Sequence, residues 1–201
     1  MSDMRAADRT PAIHRREFVA SLIAQCRDAL IVTGLGSASY DAYAAGDREH
    51  TFYLWGGMGG AAALGLGLAL AQPDRNVLVI TGDGEQLMGL GALATIGVQK
   101  PRNLSIVVLD NGHFGETGMQ RSHASLGVDL VAVARACGLD WTLEIEEAGR
   151  AAEVAAQIER RTGCGLVRVF VKAEELPRAL PPRDGVYVKN RFRAALGLAP
   201  L

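Results

Sequence analysis

Two apolar runs, 77–81 and 104–109, each end in a turn carrying oxygen ligands, and this pairing constrains the fold more than any other feature. The first run stops at Gly82-Asp83-Gly84 and the second at Asp110-Asn111-Gly112-His113, with Asp83 and Asn111 twenty-eight residues apart. That distance holds one strand–helix–strand crossover, whose strands emerge parallel with their carboxyl ends on the same edge of a sheet. Open α/β sheets bind their ligands at that edge. The expected fold class is therefore α/β, a mainly parallel sheet with helices on both faces.

The rest of the chain agrees with that class. Helical patterns are expected over 10–27 (with a basic, solvated face), 40–46, 86–98, 128–137 and 147–162, and Gly138 suits the end of the fourth. Strands are expected over 29–33, 142–145 and 165–171, while 48–55 reads as a lead into the Gly-rich segment. Nearly continuous apolar strands point to a sheet covered on both faces. Residues 1–176 are expected to form one domain. Pro177, Pro181 and Pro182 then mark an extended linker, followed by a short basic helix over 189–196.

Composition narrows the partners. A net charge of −1 gives no footprint for nucleic acid or an acidic membrane. Cys26, Cys137 and Cys164 are dispersed and odd in number, which excludes a disulfide framework and a C-x-x-C metal site and suits a reducing cytoplasm. Residues 1–12 are charged and lack the apolar core of a secretory leader. The apolar run 56–71 has small-xxx-small spacing, but it is short for a membrane span and ends at Pro73-Asp74-Arg75. It is expected to be a buried, closely packed helix.

The turns carry the chemistry. Glycines on both sides let the backbone at Asp83 approach a ligand, and the following helix offers free N–H groups to a diphosphate. Asp83 would repel such an anion unless a cation lay between them. Asn111 at the neighbouring strand end supplies a second hard oxygen, a donor set suited to Mg²⁺. A lone Gly-Asp-Gly turn is common; the pairing with Asn111 is what makes it specific. Met58, within Trp55-Gly56-Gly57-Met58-Gly59-Gly60, reads by itself more readily as a helix-packing residue than as a ligand contact, and it gains weight from the metal motif in register with it. Gly34-Leu35-Gly36-Ser37-Ala38-Ser39 is a weak dinucleotide fingerprint, since the sixth position is Ser39. The loop 113–123 is Gly-rich and aperiodic, as functional lids are, and offers Glu116, Gln120, Arg121 and His123. The Arg121 fork suits a carboxylate, sulfonate or phosphonate. His14 and His50 are expected at the surface.

Several stretches together resemble the diphosphate-binding domain of thiamine-diphosphate-dependent decarboxylases. They are Phe52-Tyr53 ahead of G-G-M-G, the Gly/Leu/Ala segment 64–70, G-D-G-x-x-L-M-x-x-G-x-L-A-T-I-G from Gly82 to Gly97, the run from Asn103 to Asn111, and Thr117-Gly118-Met119-Gln120. The likeness covers about residues 28–172 and is similar in wording to the small subunit of sulfopyruvate decarboxylase and the carboxyl-terminal part of phosphonopyruvate decarboxylase. It implies that Asp83, Asn111 and the main-chain oxygen of His113 hold Mg²⁺. It places Gly36, Ser37, Gly82, Gly84 and Glu85 near the diphosphate of thiamine diphosphate. Met58 would support the bent cofactor, the Gly56 carbonyl would accept from its 4′-amino group, and Gly57 and Phe114 would border it. Glu116 and His123 would be catalytic, and Gln120 and Arg121 would face the substrate.

The chain departs from that family twice. Asp110 replaces the first residue of a usual Asn-Asn pair. The segment 118–123 replaces G-G-Q-P-T, which bears on the substrate. The activating glutamate of the family sits on a pyrimidine-binding domain for which this chain has no room. The resemblance therefore implies a separate alpha-type partner subunit supplying that Glu, in an alpha2beta2 or larger hetero-oligomer. The activity implied is decarboxylation of an acidic, small-molecule 2-oxo acid, with carboligation as a further outcome. Alternatives are a transketolase-like half-subunit, since Glu85 after Gly-Asp-Gly occurs there too, a non-catalytic binding domain of the same fold, and, weakest, a nucleotide-binding protein.

Overall fold

The apolar runs become strands β1 (Leu30–Thr33), β3 (Val77–Gly82), β4 (Leu104–Asp110) and β8 (Gly165–Phe170), flanked by β2 (Thr51–Tyr53) and β7 (Trp141–Ile145). The structure, a computed structural model, describes residues 11–201, so the reading of the first residues as lacking a secretory leader lies outside the described part. Among the described residues these six strands form one parallel sheet in the order β2-β1-β3-β4-β8-β7. A second, two-stranded hairpin pairs β5 (His113–Phe114) with β6 (Gln120–Arg121).

Strand residues alternate between two apolar layers, which is why the runs look continuous in the sequence. Ile31, Leu78, Ile80, Val107, Leu109, Val167 and Val169 face α1 (Arg15–Gln25), α2 (Ser37–Ala44) and α7 (Ala151–Glu159). Leu30, Val32, Val77, Val79, Leu104, Ile106, Val108 and Leu166 face α3 (Ala61–Ala71), α5 (Ala92–Gln99) and α6 (Leu130–Ala136). Each fully buried aliphatic side chain of this kind stabilises the fold by about 1.5–3 kcal/mol against leaving it exposed. The expected parallel sheet with helices on both faces is present. Helix α3 lies so close to β3 that a Cβ on Gly65 would stand 2.3 Å from Val79 Cγ2. The helix expected from 56–71 is thus present in its second part and closely packed on one side, but it is not buried all round: Ala63, Gly67 and Leu70 are exposed. Among the described residues, no helix is long and apolar enough to cross a membrane.

The structure corrects four local expectations. The helix expected over 86–98 begins earlier and breaks: α4 (Asp83–Met88) ends where Gly89 meets the Gly56–Gly60 turn, and α5 follows. A Cβ on Gly89 would lie 2.0 Å from the Gly59 carbonyl oxygen, so this backbone-to-backbone contact has no room for a side chain. Strand β2 replaces the featureless lead at 48–55. Helix α1 is shorter than 10–27, and its basic face is not all solvated: Arg15 is buried and ion-paired with the fully buried Asp41.

The carboxyl-terminal helix, α8, runs over Gly185–Ala195 rather than 189–196, because Asp184 caps it by accepting from the Val186 and Tyr187 N–H groups. It docks on β2. Phe192 is buried with its ring edge-on to Phe52, and the Arg191 guanidinium donates to Arg48 O and Thr51 O. The segment before it crosses the carboxyl edge of the sheet, where Trp55 Nε1 donates to Pro182 O.

Candidate active site

The sheet places its loops by its topology. From β1 the chain moves outward to β2 and then returns to β3 on the opposite side of β1, so the carboxyl ends of β1 and β3 flank the point where strand order reverses. Ligand crevices of open α/β sheets form there. The loop 34–37 leaves β1, Asp83 leaves β3 and Asn111 leaves β4. Gly82 pairs with Leu109, so Asp83 and Asp110 emerge from the sheet side by side.

One cleft at this edge is lined by Ser37, Met58, Gly82, Asp83, Gly84, Glu85, Asn111, His113, Phe114 and Glu116. These ten, of sixteen residues that line the cleft, come from four separate stretches of sequence, and all ten were named from the sequence alone. Gly36 lies beneath them in a left-handed conformation (φ +82) that favours glycine, and a Cβ there would stand 2.6 Å from Glu116 Oε1. Gly56 and Gly57 sit in the turn before α3, outside the lining residues, although Met58 between them and the helix reaches the cleft.

Asp83 is 2% exposed. Burial, and then the neighbouring Asp110, push its carboxyl well above the usual carboxylate range; hydrogen bonds from Ser122 and from the main chain of Asp83 and Asn111 offset part of this. Glu85 is buried too, and burial raises it, with an offset from the Thr81 hydroxyl, which donates to Oε2 at 2.8 Å. The N–H groups of Gly59, Leu35 and Ala61 also face this carboxylate and lower it. Glu85 therefore touches the β1 loop, the turn before α3 and β3 at once. A Cβ on Gly34 would overlap the Glu85 carboxylate, so a glycine is needed there.

Asn111 sits in a tight turn. Its Oδ1 accepts the His113 N–H at 2.8 Å, and its main-chain oxygen meets His113 Nδ1 at 2.8 Å. The preceding Asp110 Oδ1 accepts the Gly112 N–H at 2.9 Å. Two buried carboxylates line this cleft, and burial is the largest influence on each. Hard oxygens from Asp83, Asn111 and the main chain fit a divalent cation there. Among the described residues no group of three His, Cys, Asp or Glu is placed to hold a metal, so a cation here would draw on the amide and main-chain oxygens.

Gln120, Arg121 and His123 stand apart from the cleft. Gln120 and Arg121 are exposed on the hairpin, and Arg121 Nη2 donates to Ser125 O at 2.6 Å. Arg121 borders a second cleft with Asp110, Ser125 and Arg168. His123 is exposed, its ring edge-on to Phe114 at 6.0 Å. Glu116 lies 3.9 Å from Arg178, on the segment that crosses the edge. Sequence reasoning missed Arg15, whose Nη1 donates to Glu174 O and which borders the main cleft, and Ser122 beneath Asp83. It also missed Arg168. Each is held by a partner distant in sequence, and local pattern carries no signal for that.

An open parallel sheet whose loops converge at its reversal point is the architecture of a cofactor-binding α/β domain. Residues 34–169 match the model described as "Thiamine pyrophosphate enzyme, C-terminal TPP binding domain", and the chain belongs to that family. It is 46% identical over 111 residues to sulfopyruvate decarboxylase subunit beta of Methanocaldococcus jannaschii, covering 55% of this chain and 58% of that one. It is 40% identical over 179 residues to phosphonopyruvate decarboxylase of Streptomyces viridochromogenes, covering 87% and 44%. The chain thus spans about half the length of these two relatives. Against sulfopyruvate decarboxylase subunit beta of Methanococcus maripaludis it is 38% identical over 184 residues, covering 90% of this chain and 97% of the relative. Among solved structures, benzoylformate decarboxylase from Polynucleobacter necessarius aligns with a TM-score of 0.67 over 88% of this chain and 36% of that one. At 19% identity that likeness shows the fold alone.

Proposed function

We propose that the chain is the diphosphate-binding, beta-type subunit of a two-component decarboxylase that uses thiamine diphosphate and Mg²⁺ on an acidic 2-oxo acid of the sulfopyruvate or phosphonopyruvate kind. The observation that carries this is the convergence of Asp83, Asn111 and Met58 on one cleft at the sheet's reversal point, in a chain of this family. Two relatives that match along much of the chain carry "subunit beta" in their names, which supports a separate partner chain. That partner would supply the activating glutamate, in an alpha2beta2 or larger assembly in the cytoplasm.

In this reading Asp83, Asn111 and the His113 main-chain oxygen hold the cation, and the cation offsets the repulsion between Asp83 and an anionic diphosphate. Gly36, Ser37, Gly84 and Glu85 offer N–H groups to that diphosphate, at the starts of α2 and α4. Met58, between the Gly56 carbonyl and α3, gives the cofactor an apolar support, and Phe114 covers Gly84 from the other side. Thiamine diphosphate supplies the electron sink for the bond broken as CO₂ leaves. Glu116, the loop carboxylate that borders the cleft, is the group placed to move a proton near the reacting carbon. His123, Gln120 and Arg121 lie on the solvent side, where a partner chain would close over them and an acidic substrate group would meet Arg121. Carboligation would follow if an acceptor carbonyl reached the same place.

The test mixes the chain with a candidate partner subunit and measures Mg²⁺-dependent uptake of thiamine diphosphate by calorimetry, then CO₂ release from sulfopyruvate and phosphonopyruvate. Wild type should bind and turn over; Asp83→Asn should lose both while its fold, followed by far-UV circular dichroism, is kept. Uptake independent of Mg²⁺, or full activity in Asp83→Asn, contradicts the proposal.

A further inference from the structure

Asp110 is the charge in this region that the cofactor site leaves unexplained. It leaves the sheet beside Asp83 and is as deeply buried, 4% against 2% exposed. Two carboxylates so placed repel each other, and Asp110 is the charged group that bears on Asp83. Yet Asp110 borders the second cleft, on the Arg121 side, and not the cleft that holds Asp83 and Met58.

Arg168 accounts for that separation. Val108 pairs with Arg168 and Asp110 with Phe170, so Arg168 reaches diagonally along one sheet face from β8 to the end of β4. Its Nε donates to Asp110 Oδ2 at 2.6 Å, while Asp110 Oδ1 keeps the Gly112 N–H at 2.9 Å. The guanidinium is stacked 4.5 Å over the Phe170 ring and stands 3.5 Å from Glu144 Oε1. Arg168 is 4% exposed, far too buried for a solubilising arginine. Both oxygens of Asp110 are thereby committed, one to the turn and one to the cation behind it.

We propose that Arg168 is a positioning residue for the cation-binding turn: it draws the Asp110 carboxylate away from Asp83 and clamps it on the Gly112 N–H, presenting Asn111 and the His113 main chain. This rests on Asp83, Asn111 and His113 being the cation donors proposed above. A carboxylate at position 110 is then tolerated only with an arginine at 168. An asparagine at 110 would accept the same N–H without charge and would need no arginine.

The experiment uses the full-length chain with its partner and the variants Arg168→Met, Asp110→Asn, the two combined, and Arg168→Lys. Mg²⁺ affinity is read as the concentration supporting half-maximal thiamine diphosphate uptake. Arg168→Met should weaken it at least tenfold, the combined variant should return to within about threefold of wild type, and Arg168→Lys should lie between. A through-space effect alone predicts the opposite sign, because deleting a cation near a Mg²⁺ site tightens it. A second readout needs no cofactor: in EDTA, exchange of the Gly112 amide should speed up at least tenfold in Arg168→Met and recover in the combined variant. If wild type takes up no cofactor, the functional proposal fails and the amide readout still decides the role of Arg168. Unchanged amide exchange in Arg168→Met, tighter Mg²⁺ binding, or no rescue by Asp110→Asn each overturns the inference. Should Arg168→Met fail to fold, Arg168→Lys and the combined variant carry the same comparison.

Discussion

Replacing Gly84 by alanine should separate cofactor binding from stability. Gly84 lies in the first turn of α4, where a Cβ would stand 2.5 Å from Phe114 Cδ1 and 2.8 Å from Cε1. Ordinary contact requires the ring to retreat by about 1 Å. Overpacking of this kind costs about 1–3 kcal/mol. Alanine returns about 0.5–1 kcal/mol over glycine in a helix. Phe114 belongs to a two-residue strand and is only half-buried, so the ring can yield and the cost falls at the low end. The net loss expected is about 0–2 kcal/mol. The cleft suffers more, because both the new methyl and the displaced ring occupy the place proposed for the diphosphate. Urea unfolding in EDTA should show that small loss, and calorimetry with Mg²⁺ should show thiamine diphosphate binding at least tenfold weaker. Wild-type affinity in Gly84→Ala would refute the placement of the diphosphate. A stability loss well beyond about 3 kcal/mol would refute the claim that Phe114 gives way.

Phe192→Ala should cost about 3–4 kcal/mol in urea unfolding, since a buried ring is removed from the layer beneath α8; a loss under about 1 kcal/mol would mean that the helix does not dock on β2. Burial pushes the Cys26 thiol up to about 12, against about 8.5 in an unfolded chain. A raised folded value favours the protonated form, so its contribution is complete below about pH 8.5 and is lost as pH rises toward 12. Native-state alkylation at pH 8 should therefore spare Cys26 while the half-buried Cys137 reacts, and equal labelling of the two by peptide mapping would contradict this.

What the sequence makes legible is whatever short range controls. The two apolar runs, their turns and the twenty-eight residues between Asp83 and Asn111 are enough to place both side chains at one edge, because a parallel crossover leaves little choice. The break in the helix after Met88 is not legible. Its cause is Gly59, thirty residues away, whose carbonyl presses on Gly89. Strand β2 is three residues long and held by β1 alone within the sheet, too short for a periodic signal. Arg15 looks like part of a solvated face until Asp41 is brought to it by α2, and Arg168 looks like an interruption in an apolar strand until β4 delivers Asp110. The sequence shows that such charges exist; the fold shows what each one is for.

The Arg191 guanidinium has a consequence for the molecule's behaviour in solution. By donating to Thr51 O, it occupies a carbonyl that an outermost strand would otherwise offer to a strand of another molecule. That margin of the sheet is thus covered in part by side chains of a single helix, Arg191 and Phe192. A chain cut before Asp184 would keep its cleft but uncover that margin, and self-association would be the first defect to show.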